Sequence, residues 1–255
     1  MNLHVESEGE GEPVLFLHGV SGSAATYRWL VPEGFRAVRL TFRGHGASAR
    51  APGTYRLADY AEDAVSVLEE IGPAAVVGHS LGGVVAWTVA QQRPELVTQL
   101  FMEDPPLFMG EPDEHAQNPA IPHFHEQQAA VRTWQAAGTS EAQIEADLAA
   151  EYGTVQTPEA LASRAYALRH LDPEVLDRVL DGSTLAATDT RSPVSVPTLV
   201  VGADVAPAFP PAHEARLAAT HPDVPVVRIA GAPHTIHDTA AVRDQYVAQL
   251  LAFLT

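Results

Sequence analysis

A serine, a dozen histidines and a choice of carboxylates carry the chemical interest of this sequence. Ser80 lies in Gly78-His79-Ser80-Leu81-Gly82, within "AAVVGHSLGGVVAW". This is the G-x-S-x-G pattern, in which a serine rides a sharp strand-to-helix turn and lifts its Oγ toward a bound substrate. The glycines two residues before and after it suit a turn with no room for Cβ atoms. A hydroxyl becomes a nucleophile when a neighbouring base takes its proton, and the base needs a carboxylate to hold its tautomer. A serine in a tight turn could equally be only a small residue, so the elements around it decide. "AAVVG" reads as a buried strand immediately before it and "LGGVVAWTVAQQRP" as a helix immediately after.

The flanking elements extend in both directions. "PVLFLHG" (13–19), "FRAVRLTFRGHG" (35–46) and "VTQLFMED" (97–104) read as further strands, and "LADYAEDAVSVLEEIG" (57–72) as a helix closed by Gly72-Pro73. Apolar strands alternating with helices predict an α/β fold, a mostly parallel sheet covered on both faces. The rhythm stops near Pro105, where four helical stretches follow without a convincing strand. It resumes with "PTLVVGAD" (197–204), "HEARLAATHP", "VPVVRIAGAPH" (224–234) and a last helix, "AAVRDQYVAQLLAFL". The expected organisation is a core formed by residues 1–105 and 192–255, with 106–191 inserted as a helical cap. "LHVESEGEG" is expected to add an edge hairpin.

Composition narrows the function classes. The 255 residues suit one α/β domain with an insertion. There is no cysteine, which excludes disulfide and thiolate chemistry. All fifteen basic residues are arginine and the formal net charge is −17. Such a chain repels nucleic acid and anionic membranes, so neither is expected as a partner. The N-terminus has no basic-then-apolar leader pattern, and no apolar run reaches membrane-spanning length. A cytoplasmic location is the expectation.

The sequence resembles the α/β-hydrolase superfamily over residues 10–104 and 193–255. The resemblance rests on "GHSLG", on "LHGVSGS" (17–23), on "FRGHGASARAPGTY" (42–55) and on "GAPHTIHDT" (231–239), in that order. It implies a nucleophilic Ser80, an oxyanion hole from the backbone N–H groups of Val20 and Leu81, and His234 as the base. Gly19 becomes a close-approach position beside substrate. His79 is expected to line the turn, His237 to pack beside the site, and His18 and His45 to brace loop backbones. His123 and His125 alternate as metal ligands can, but no third ligand is near, so solvated or cap-lining roles are expected. No metal and no organic cofactor are expected.

The carboxylate has three candidates. The commonest family position follows "PTLVVGAD", where Asp204 falls one residue short. The alternative follows the strand after the nucleophile helix, where "LFMEDPPLF" offers Glu103 and Asp104. Lactonases that degrade zearalenone place their acid before a Pro-Pro pair, as Asp104 stands here. Asp104 is therefore favoured, with Asp204 second and Glu103 third. Ser80 argues against the dehalogenase and epoxide hydrolase branches, which use an Asp nucleophile. The expected substrate is a medium-sized, mostly apolar ester or lactone, with Phe108 and Trp134 from the insertion as candidate contacts. C–C bond hydrolysis, thioester hydrolysis, cofactor-free oxygenation and a non-catalytic binding protein are the alternatives.

Overall fold

Period-two alternation in the central strands builds two cores at once. In Glu12–Leu17 (β2), Leu15 and Leu17 point into one apolar cluster while Val14 and Phe16 point into another. Ala74–His79 (β4) and Val97–Glu103 (β5) divide their side chains in the same way, and all of β4 is buried. A strand apolar on both faces needs helices above and below it. Leu57–Ile71 (α1) and Leu81–Gln92 (α2) supply one layer, and Arg243–Leu254 (α9) supplies the other through Tyr246, Leu250 and Leu254.

The computed structural model describes residues 1–255. Its sheet has seven strands in the order β1-β3-β2-β4-β5-β6-β7. The remaining strands are His4–Gly9 (β1), Phe35–Thr41 (β3), Thr198–Gly202 (β6) and Val226–Arg228 (β7). Every pairing is parallel except β1 with β3. The expected N-terminal hairpin is corrected on this point. β1 runs antiparallel to β3, from His4 opposite Thr41 to Gly9 opposite Arg36, and does not pair with β2. Glu6 and Glu8 on this outermost strand keep its open edge charged, which discourages further strand addition.

Between β5 and β6 the chain is helical: Pro112–Ala116 (α3), Ile121–Ala137 (α4), Glu141–Tyr152 (α5), Pro158–His170 (α6) and Pro173–Leu180 (α7). Ser140, Thr157 and Asp172 each cap the helix that follows with a side-chain oxygen. Apolar residues of this segment, among them Val131, Ile144, Leu148 and Leu168, join the larger core cluster. An isolated bridge, Gln156 to Thr239, ties the segment to the loop after β7. Pro211–Thr220 (α8) then joins β6 to β7. No helix is long and apolar enough to cross a membrane.

In a parallel sheet the loops that follow the strands gather at one edge. Val20 follows β2, Ser80 follows β4, Asp104 follows β5 and His234 follows β7.

Candidate active site

Ser80 occupies the turn between β4 and α2 with φ 51° and ψ −117°. A positive φ is strained for a side-chain-bearing residue and persists only where surroundings enforce it. Here the enforcement is close packing. A Cβ on Gly78 would come within 2.3 Å of the Gly82 carbonyl oxygen, and one on Gly82 within 2.2 Å of the Leu17 carbonyl oxygen. The Ser80 N–H donates to the Glu103 carbonyl at 2.9 Å, which fixes the turn against β5.

Ser80, His234 and Asp104 form one hydrogen-bonded line. Ser80 Oγ lies 3.0 Å from His234 Nε2, and His234 Nδ1 lies 2.6 Å from Asp104 Oδ2. Asp104 has a φ of 42° and no solvent exposure. Its oxygens also accept from the N–H groups of Ala203, Ala208 and Phe209, at 3.2, 2.7 and 3.2 Å. Burial pushes the carboxyl upward, but His234 and these N–H groups outweigh it and hold Asp104 below its usual range. The result is a carboxylate, able to accept from imidazole Nδ1–H and leave Nε2 free to take the serine proton.

The loop after β6, where the second acid candidate stands, thus donates its N–H groups to Asp104. Asp204 itself is exposed and accepts from the Gly231 N–H at 3.0 Å, bracing the turn before His234 without touching the imidazole. Glu103 meets a different histidine. It is fully buried and accepts from both the backbone N–H and the Nδ1 of His237, at 3.1 and 2.7 Å. Burial opposes both charges, yet Asp238 and Glu103 raise His237 to about 9, and His237 holds Glu103 below its ordinary value. His237 is an imidazolium, its Nε2 facing Asp238 Oδ1 at 3.5 Å. Glu103 therefore pins the loop that carries His234, one residue before Asp104 reaches His234 itself.

The sign of this pair is testable. His237 binds its proton more tightly folded than unfolded, so its contribution is complete below about pH 6.5 and is lost as pH rises through about 9. His18, His45 and His79 are driven the other way by burial, and their contributions are already complete above pH 6.5. Thermal stability is expected to fall by on the order of 2 kcal/mol, about 5 °C, between pH 6.5 and 9.5. Glu103→Gln should flatten that decline. An equal decline in both proteins, read by calorimetry, would contradict the pairing.

Neutral histidines brace the remaining loops. His79 Nε2 donates to the His234 carbonyl at 3.1 Å. His18 Nε2 accepts from the Phe42 N–H at 3.1 Å, and His45 Nε2 reaches the Val20 carbonyl at 2.7 Å. Val20 and Leu81 both line the cavity above Ser80. The Val20 N–H is spent on no hydrogen bond, and Leu81 opens α2, where first-turn N–H groups lack intrahelical acceptors. A Cβ on Gly19 would meet His79 Nδ1 at 2.8 Å.

The cavity is about 560 Å³. Gly19, His79, Ser80 and His234 form its floor, and Met109, Phe124, Gln127, Tyr152 and Arg164 enter from the helical segment. Two expected contacts are corrected. Phe108 is buried elsewhere, stacked on Arg216 at 4.0 Å and against His213. Trp134 is half-buried on α4 against the larger apolar cluster, outside the cavity lining, and donates to Asp147 at 3.3 Å. His123 lines the cavity while His125 faces solvent, so the two cannot ligate together. The ligating atoms of His79, Glu103 and His237 lie within 4.8 Å of one another. Glu103 is engaged by the backbone N–H and the Nδ1–H of His237, and a protonated His237 offers no lone pair to a metal. Gln127, which accepts from Ser21 Oγ at 2.6 Å, and Arg164 carried no sequence signal. Glu103 carried one: an acid ending an apolar strand must find a partner.

A family model described as "alpha/beta hydrolase fold" matches residues 12–241. A 2-(acetamidomethylene)succinate hydrolase from Mesorhizobium japonicum is 32% identical over 109 residues, 41% of this chain and 39% of that protein. The match thus spans well under half of the relative. A crystal structure of E-2-(acetamidomethylene)succinate hydrolase superposes with a TM-score of 0.75 at 24% identity, over 99% of this chain and 94% of the other. The enol-lactonase of Burkholderia xenovorans LB400 gives 0.73 at 19% identity, over 99% and 96%. At these identities the superpositions speak to fold alone.

Proposed function

The chain belongs to the α/β-hydrolase fold family, and from that premise we propose that it is a serine hydrolase cleaving a carboxylic ester or lactone through an acyl-enzyme on Ser80. The observation that carries the reading is the hydrogen-bonded line Ser80–His234–Asp104. Ser80 Oγ attacks the acyl carbon as its proton passes to His234 Nε2. The imidazolium formed is stabilised by the Asp104 carboxylate, which stays ionised. The carbonyl oxygen becomes an oxyanion facing the N–H groups of Val20 and Leu81, donors that need no reorganisation during the step. His234 returns the proton to the leaving oxygen. Water then enters and attacks the acyl carbon as His234 takes its proton, and His234 passes that proton to Ser80 Oγ as the serine leaves. No step requires a metal or an organic cofactor.

The helical segment 106–191 acts in this reading as the cap over the site. Its Met109, Phe124 and Tyr152 give the cavity an apolar wall suited to a small or medium-sized acyl compound. The relatives carry two substrate names, an acetamidomethylene succinate and an enol-lactone, and each offers Ser80 an acyl carbon. A turnover screen across aryl esters, lactones, thioesters and N-acyl compounds tests the class. Ester or lactone turnover is expected to lead. Preferred turnover of N-acyl compounds would move the chain to amide hydrolysis on the same residues, and inactivity toward every class would overturn the proposal.

A further inference from the structure

We propose that the cavity selects an acyl substrate bearing a carboxylate away from its scissile bond, and that Arg164 on α6 receives that carboxylate. The inference rests on the acyl-transfer reading and adds the substrate's charge to it. Arg164 is the only arginine lining the cavity. Nine of the fifteen arginines pair with a carboxylate of the chain within 4.0 Å, and Arg164 is not among them. It is half-buried, with its guanidinium over the Tyr152 ring at 4.6 Å. A chain with 32 acidic residues has carboxylates to spare for its arginines, yet this one faces the cavity with Tyr152 and no carboxylate partner.

Surrounding charges leave the guanidinium available. Asp238, the one acidic residue in the cavity wall, lies against His237 and feels the Arg164 charge, but the two form no ion pair within 4.0 Å. His237 is matched by Glu103 beneath it. Glu126 and Glu151, whose charges reach His123, are exposed and absent from the lining. Arg164, His123 and His234 all line this one cavity, so the arginine and the reacting end share one electrostatic neighbourhood. A planar guanidinium held by stacking presents two parallel N–H donors to a carboxylate, a geometry that an ammonium cannot reproduce. The net charge of −17 repels anions at long range. Selection of an anionic substrate therefore depends on a local cation inside the cavity.

The experiment compares mono-4-nitrophenyl adipate with its methyl-capped, neutral diester. In the parent the free acid is expected to have the higher kcat/KM. Arg164→Gln should lower the ratio of the two kcat/KM values by at least about tenfold, mainly through KM of the acid, as loss of a charge-assisted contact does. Arg164→Lys should restore only part of the ratio. Adipate should also slow fluorophosphonate labelling of Ser80 in the parent and lose that protection in Arg164→Gln. A ratio indifferent to Arg164 in a folded variant that still turns over both esters overturns this proposal alone. A parent that hydrolyses neither ester and takes no label overturns the acyl-transfer reading, and this proposal with it.

Discussion

Ser80→Ala is expected to lower kcat for ester or lactone hydrolysis by roughly 10⁴–10⁶, with little change in thermal stability. The size follows from how the site is built. His234 Nε2 has no other hydroxyl to activate, and Ser80 Oγ at 3.0 Å is what it faces. Replacing the hydroxyl with hydrogen leaves Gly78, Gly82 and the strained backbone as they are. Any remainder would come from the N–H groups of Val20 and Leu81 and from binding. The same variant separates hydrolysis from base-driven oxygenation on this fold. Oxygenation needs a proton acceptor and not the serine, so activity surviving in Ser80→Ala would transfer the chemistry to the His234–Asp104 pair.

Asp104→Asn carries the second large effect, a loss of about 10⁴ in kcat. An amide in place of the carboxylate can offer N–H to imidazole Nδ1 and so select the tautomer with its proton on Nε2, facing Ser80. It also removes the negative charge that stabilises the imidazolium. The N–H donors from Ala203, Ala208 and Phe209 are arranged for a carboxylate and would face an NH₂ group in at least one orientation. Asp204→Asn is the matched comparison. Asp204 is exposed and serves only the Gly231 turn, so its variant should stay within a few-fold of the parent. Steady-state kinetics on one aryl ester decide the matter. A crippled Asp204→Asn beside a competent Asp104→Asn would reverse the assignment.

The sheet was legible because β2, β4 and β5 are apolar on both faces, α1 carries helical periodicity and α2 is a long apolar run stopped by Pro94, signals that each element contains within itself. The shortness of β7 was not. "VPVVRIAGAPH" has a strand's composition, but only Val226–Arg228 pair with β6 before the chain turns toward His234. Nor was the partner of β1, since strand pairing depends on crossovers rather than on composition. In the site, Ser80 announces itself through two glycines whose absent Cβ atoms are a local requirement. Asp104 was one of three carboxylates because sequence shows spacing and not direction. Its positive φ turns it away from the path of Glu103, and the two neighbours reach different histidines. The cavity wall was least legible. Phe108 and Trp134 have the size of substrate contacts, but helix rotation and packing against Arg216 and Asp147 send them elsewhere.

Covalent capture of the nucleophile tests the central claim most directly. The protein is treated with a fluorophosphonate, measured as an intact mass, then digested and mapped. One adduct per chain is expected, located on Ser80, formed rapidly in the parent, slowly in Asp104→Asn and not at all in Ser80→Ala. No adduct, or an adduct on another residue that persists in Ser80→Ala, would contradict the assignment of Ser80 as the residue that carries the acyl group.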